Sequence, residues 1–174
     1  MSNELDPSRA YQAQLLALVG DDDPAEIQTR TPAALRDLVA EAGDTARVKP
    51  APGEFSLVEL IGHLADAQLV SFTRYRWILT QDEPPLPGYE QDDWVRVSGY
   101  ADADPAQLID LFEAVQRANI DLWRRTPATE RSRIGLHAER GPESYQLSFK
   151  ILAGHDLLHL DQARQTIDAV KGQA

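Results

Sequence analysis

The chain of 174 residues contains no cysteine and one methionine. Without cysteine there are no disulfides, no thiolate nucleophile, no cysteine-ligated zinc and no iron–sulfur cluster. Basic residues are also scarce: 17 Lys and Arg stand against 28 Asp and Glu, a formal net charge of -11. Nucleic acids and anionic membranes are gripped by clustered Lys and Arg, so neither is expected as a partner. No apolar run approaches the roughly 18 residues that suggest a membrane span. The opening residues, MSNELDPSRA, lack the basic and apolar regions of a signal peptide. A soluble cytoplasmic protein is the expectation. With 43% hydrophobic and 26% charged residues, the chain can build a core unaided, and one domain over 1–174 is expected.

What the sequence does have is helical periodicity. SRAYQAQLLALV at 8–19 reads as a first helix and TPAALRDLVAEAG at 31–43 as a second segment. There Thr31 serves as N-cap, Pro32 as first helical residue and Gly43 as stop. The two segments are either one broken helix or two short ones. Ser56 and Glu59 form a capping box behind Pro50, Pro52 and Gly53, and apolar residues then recur with helical spacing through Ile78, giving a helix over about 56–80. Asp104-Pro105 starts another helix, which stops near Thr126-Pro127, and a last one runs over about 143–171 to Gly172. No strand pattern stands out. Pro84, Pro85 and Pro87 keep 81–103 from being a regular helix. Four major amphipathic helices make an all-α, four-helix bundle. The 81–103 connection is long enough to return along a helix, so helices two and three can lie parallel.

Three of the four histidines interrupt apolar stripes. His63 sits with Leu60, Ala67 and Val70; His155 and His159 sit with Ile151, Leu152 and Leu158. Four residues turn a helix by about 400°, so His155 and His159 project from one face, one turn apart. Core-facing imidazoles cost free energy unless both nitrogens find partners, and protonation would bring like charges together. A divalent metal relieves this by taking one nitrogen from each neutral ring. Three ligands leave an open position, the catalytic rather than the structural pattern. The alternative is that the rings bond backbone carbonyls or sit on a solvated face. His155-Asp156-Leu157-Leu158-His159 also has the spacing of the H-E-x-x-H protease helix, but Asp replaces the Glu base and no third histidine follows.

With these residues in place the chain resembles the DinB-like (YfiT-like) superfamily. FSLVELIGHLADAQ at 55–68 and GHDLLHLDQARQTI at 154–167 carry the likeness, which covers roughly 50–170. The resemblance implies an up-down-down-up bundle and one divalent transition metal, zinc or nickel, on His63, His155 and His159. It also implies a homodimer, and members studied functionally include transferases of a low-molecular-weight thiol such as bacillithiol or mycothiol, while many others have no established substrate. HAERG at 137–141 resembles the family's His-Pro-Glu-x-Gly segment with Ala138 in place of proline, so His137 is read as exposed or loop-capping.

Three functions follow from the metal site. The first is thiol transfer: an exogenous thiol, its pKa lowered by the cation, attacks an electrophilic small molecule. The second activates water and makes a hydrolase. The third is a metal-binding or dimerisation module without catalysis. Gln162 and Asp66 are the candidate catalytic residues, one to bond a ligand and the other to orient an imidazole or accept a proton. Asn119 and Trp94 are the candidate cofactor-binding residues, with a core hydrogen bond for Asn119 and loop anchoring for Trp94 and Tyr89 as the plainer alternatives. Glu59 is expected on a solvated helix edge and Asp156 exposed. Arg74 and Arg76 are read either as a dimer or anion-binding edge or as solvated side chains.

Overall fold

The fold is read from a computed structural model that describes residues 7–173. Its helices begin where side chains can replace missing backbone partners. α1 spans Pro7–Val19 and α2 Pro24–Ala42. At the start of α2 the Asp23 carboxylate accepts from the Ala25 N–H, and Pro24 occupies the first turn, where its missing N–H costs nothing. Pro32 therefore lies inside a helix rather than opening one, and α1 and α2 are two helices. α3, Leu57–Thr80, starts with the expected capping box, Ser56 and Glu59 each bonding the other's backbone N–H. α5, Pro105–Arg125, repeats the Asp-Pro start, and α6, Tyr145–Lys171, is capped by Ser144.

Side-chain contacts fix how these rods run. Gln28 reaches Phe149, Thr31 reaches Asp156 and Glu41 pairs with Lys171, so α2 and α6 run the same way. His63 faces His155 and His159 while Tyr75 faces Ser148, so α3 runs against α6. Arg36 pairs with Asp110 and Glu26 with Arg124, so α5 runs against α2. Helices α3 and α5 are thus parallel to each other, and the order α2, α3, α5, α6 is up-down-down-up, the expected crossover bundle. One core joins Leu35, Leu60, Leu64, Phe112 and Ile167. A second gathers Tyr75, Tyr145 and Phe149, with Trp123 stacked on Phe149 at 4.3 Å and 3°.

Two segments differ from the sequence expectation. The 81–103 connection contains a short strand, β1 (Pro85–Leu86), a two-turn helix, α4 (Gln91–Val97), and a 3-10 turn over 100–102. The stretch before α6 contains β2 (Ile134–His137) and β3 (Gly141–Ser144). The sheet order is β1-β2-β3, with β1 parallel to β2 and β2 antiparallel to β3, pairing Gly135 with Glu143 and His137 with Gly141. This sheet places the β2–β3 turn near His155 of α6: Glu139 and Arg140 line the same cavity as that residue. No helix among the described residues is long and apolar enough to cross a membrane.

Candidate metal centre

The capping box sets the register of α3 and points His63 inward, 2% exposed, toward α6. From α6 come His155 and His159, partly exposed. Nε2 of His63 lies 3.1 Å from Nε2 of His155 and 3.3 Å from that of His159, and the last two are 3.1 Å apart. Two nitrogens on one ion at about 2.0–2.1 Å stand about 3.3–3.4 Å apart at the tetrahedral angle and about 2.8–3.0 Å apart at a right angle. The observed triangle falls between these spacings, so the three atoms fit one shared cation.

Hydrogen bonding alone does not satisfy that triangle. Each Nε2 is either a lone pair or an N–H, so among three such atoms at least one pair must match like with like. Nδ1 of His159 lies 2.7 Å from Oε1 of Gln162. With that nitrogen as the donor, Nε2 keeps its lone pair for the centre, as a ligand requires. Nδ1 of His63 and of His155 are buried without a hydrogen-bond partner. Burial holds all three rings neutral: it is the first cause in each case and pushes His63 down to about 3, His159 adding to the effect. His155 falls well below the ordinary imidazole value, and His159 is lowered despite the opposing Gln162 bond.

His63 and His155 open into a cavity of about 380 Å³, which Tyr89, Arg74, Arg140 and Glu143 also line. Glu143 is held below the usual carboxylate range. Burial alone would raise it, but the bond from Arg140 Nε to its Oε2, at 2.7 Å, and the donated Ser148 hydroxyl outweigh that. Arg140 and Glu143 were not among the residues the sequence suggested; their signal was their place just before α6, Arg140 within HAERG and Glu143 two residues after it.

The other sequence-predicted residues stand as follows. Gln162 joins the histidines. Asp66 does not bond an imidazole: its Oδ1 accepts from the Tyr100 hydroxyl at 2.8 Å and its Oδ2 is buried without a partner. Asn119 is buried and donates to the side-chain and backbone oxygens of Gln68, the core hydrogen bond given as its alternative. Trp94, 40% exposed, packs on Tyr89 with ring centroids 4.7 Å apart and lines an apolar groove beside the cavity, whereas Tyr89 lines both.

Glu59 is not solvated: it is buried in the capping box and paired with Lys49 at 2.9 Å. Asp156 is fully buried rather than exposed, because its side of α6 faces α2 and α5, where Thr31 and Gln116 each lie 3.3 Å from its carboxylate. His137 is a buried loop cap whose Nδ1 accepts from the backbone N–H of Glu139 and Arg140. Arg76 lies over the Phe72 ring at 3.2 Å.

Known proteins resemble this chain in sequence and in fold. A "putative metal-dependent hydrolase" of Oceanobacillus iheyensis is 27% identical over 109 residues, 62% of each chain. One of Geobacillus thermodenitrificans is 34% identical over 68 residues, 38% of each chain. These matches span less than two thirds of the relatives' own length. The solved structure of YfiT from Bacillus subtilis, described as a probable metal-dependent hydrolase with an unusual four-helix bundle topology, superposes with a TM-score of 0.78. That match has 19% identity over 83% of this chain and 84% of that one, and it carries the fold. The DinB superfamily model matches residues 12–163, nearly the whole bundle, and the chain belongs to that superfamily.

Proposed function

We propose that the protein is a metal-dependent hydrolase acting on a small molecule, with His63, His155 and His159 as the ligands of one divalent cation, zinc or nickel. The observation that carries this is the triangle of Nε2 atoms, 3.1–3.3 Å on a side, at the wall of a cavity. The printed names of the relatives support the same class. A divalent metal held by three neutral imidazoles supplies a positive centre that lowers the pKa of a water or thiol at a remaining position. Gln162 fixes the tautomer and orientation of His159. Glu143 is a buried carboxylate at the same cavity, although its bonds to Arg140 and Ser148 hold its proton affinity low. The cavity is at the small end of the roughly 300–1,000 Å³ typical of ligand sites, leaving room for a substrate larger than water.

Thiol transfer is the second reading. It uses the same centre, and because the chain has no cysteine its nucleophile would come from an exogenous low-molecular-weight thiol. The cavity that would hold a hydrolase's substrate is also large enough to admit a small thiol. A homodimer accompanies either reading as an expectation from the family resemblance.

Elemental analysis tests the centre. One divalent metal per chain, lost when His63, His155 and His159 are all changed to Ala, supports it; a folded parent that binds none after reconstitution overturns it. Metal-dependent cleavage of esters or amides without thiol supports the hydrolase. Product that forms only when a thiol is supplied supports transfer.

A further inference from the structure

The cavity at the three histidines holds a second set of charged groups. Arg74 on α3 and Arg140 in the β2–β3 turn both line it, together with Glu143. Glu143, 2% exposed, is committed: one oxygen takes Arg140 Nε and the other takes the Ser148 hydroxyl. Arg74 has no carboxylate. One of its terminal nitrogens donates to the Pro87 carbonyl, and its Nε is buried with no hydrogen-bond partner. Burial and the neighbouring Arg140 both depress Arg74, as like charges do where water screens them poorly. Glu90 and Glu139 also line the cavity, but both are exposed, where solvent weakens their field.

Two guanidinium groups therefore line a cavity with one buried carboxylate, each of whose oxygens already takes a donor, one from Arg140 and one from Ser148. A desolvated donor left unpaired costs free energy, and the group that best relieves a guanidinium is a planar oxyanion taken by two N–H donors. Among the lining groups that are not exposed, two cations face one anion, in a chain whose net charge is -11.

We propose that Arg74 and Arg140 form an anion subsite that holds a carboxylate of the small-molecule substrate while its reacting end lies at the histidines. The second half of this statement rests on the metal reading above. The subsite makes the substrate class a short molecule that carries a free carboxylate besides its reacting ester, amide or other electrophilic group, rather than a wholly neutral one.

Titration calorimetry of the full chain, reconstituted with cobalt(II), tests it with 3-mercaptopropionate and its methyl ester. The thiolate-to-cobalt absorption band reports the metal, and the ratio of the two dissociation constants reports the arginines. The acid should bind at least about tenfold more tightly than the ester at low salt, the scale of one charged hydrogen bond. Arg74→Gln should bring the ratio to within about twofold of one while the ester's band persists, and Arg74→Lys, which keeps the charge, should retain part of the preference. Equal affinities in the parent, or a preference that survives Arg74→Gln, overturn the subsite and leave the metal centre standing. A missing cobalt band overturns the metal centre instead. The subsite is then judged by inorganic phosphate, whose binding to the metal-free chain must be present in the parent and lost in Arg74→Gln.

Discussion

At the scale of single residues, the informative groups are polar side chains placed where the pattern calls for apolar ones. Gln162 is the sharpest case. It holds the far nitrogen of a candidate ligand at 2.7 Å, and removing such a support costs about 10–100-fold in metal affinity. Gln162→Leu should therefore weaken the metal by about that factor in a competition titration while the circular dichroism spectrum stays that of the parent; unchanged affinity would show that Gln162 only packs. Glu59 gives a pH dependence. Burial alone would raise its carboxyl, but Lys49 and the Ser56 backbone N–H hold it below the usual value. A lowered folded-state pKa contributes stability above the ordinary carboxylate value, and that contribution disappears as pH falls through the lowered one. Glu59→Gln should cost about 0.5–1 kcal/mol at pH 7, since the Lys49 partner is half exposed and screened, and progressively less as pH falls below the ordinary carboxylate value. Urea unfolding of both proteins over a series of pH values from neutral to acid checks this. The histidines were legible because each breaks an apolar stripe. Asp156 was not, because its position about 100° from His155 says nothing about which neighbouring helix covers it.

Among elements, helix ends were the most legible features. Ser56, Asp104 and Ser144 cap their helices as the residue types suggest. The same Asp-Pro signal at Asp23-Pro24 was hidden by the later Thr31-Pro32, a proline that α2 accommodates internally. The strands were not legible, since two to four residues are too few to establish a period-two pattern. Small residues beside the ligands have a separate role. Gly62 precedes His63 and Gly154 precedes His155; a Cβ at Gly62 would fall 2.2 Å from the Tyr100 ring, and one at Gly154 2.2 Å from the Leu15 carbonyl oxygen. The Tyr100 ring ends a side chain, but Leu15 presents backbone, which yields only if α1 moves as a body. Gly154→Ala should thus lift α1 from α6, costing about 1–3 kcal/mol as overpacking does, with faster amide exchange concentrated in α1. Exchange that rises evenly over the whole chain would mean that α1 is not a separable layer.

For the whole molecule, the candidate centre is a cross-link. His63 lies 92 residues from His155 and 96 from His159, so a cation on all three ties α3 to α6 and cannot meet the same donor set in the unfolded chain. Binding to the folded state alone stabilises it by about 2.7 kcal/mol when free metal is about 100 times the dissociation constant. At about 2–4 °C per kcal/mol for a chain of this size, chelation should lower the melting temperature by about 5–11 °C. The loss is sharpened by what remains: three neutral rings whose Nε2 atoms lie 3.1–3.3 Å apart, with at least one pair set like against like. A His155→Leu chain should not respond to chelator and should melt at or above the metal-free parent, because it removes one member of that mismatched triangle as well as the cross-link. Scanning calorimetry of both proteins with and without chelator separates the cases. A parent shown to carry metal yet melting at the same temperature without it would place the ion somewhere other than between α3 and α6.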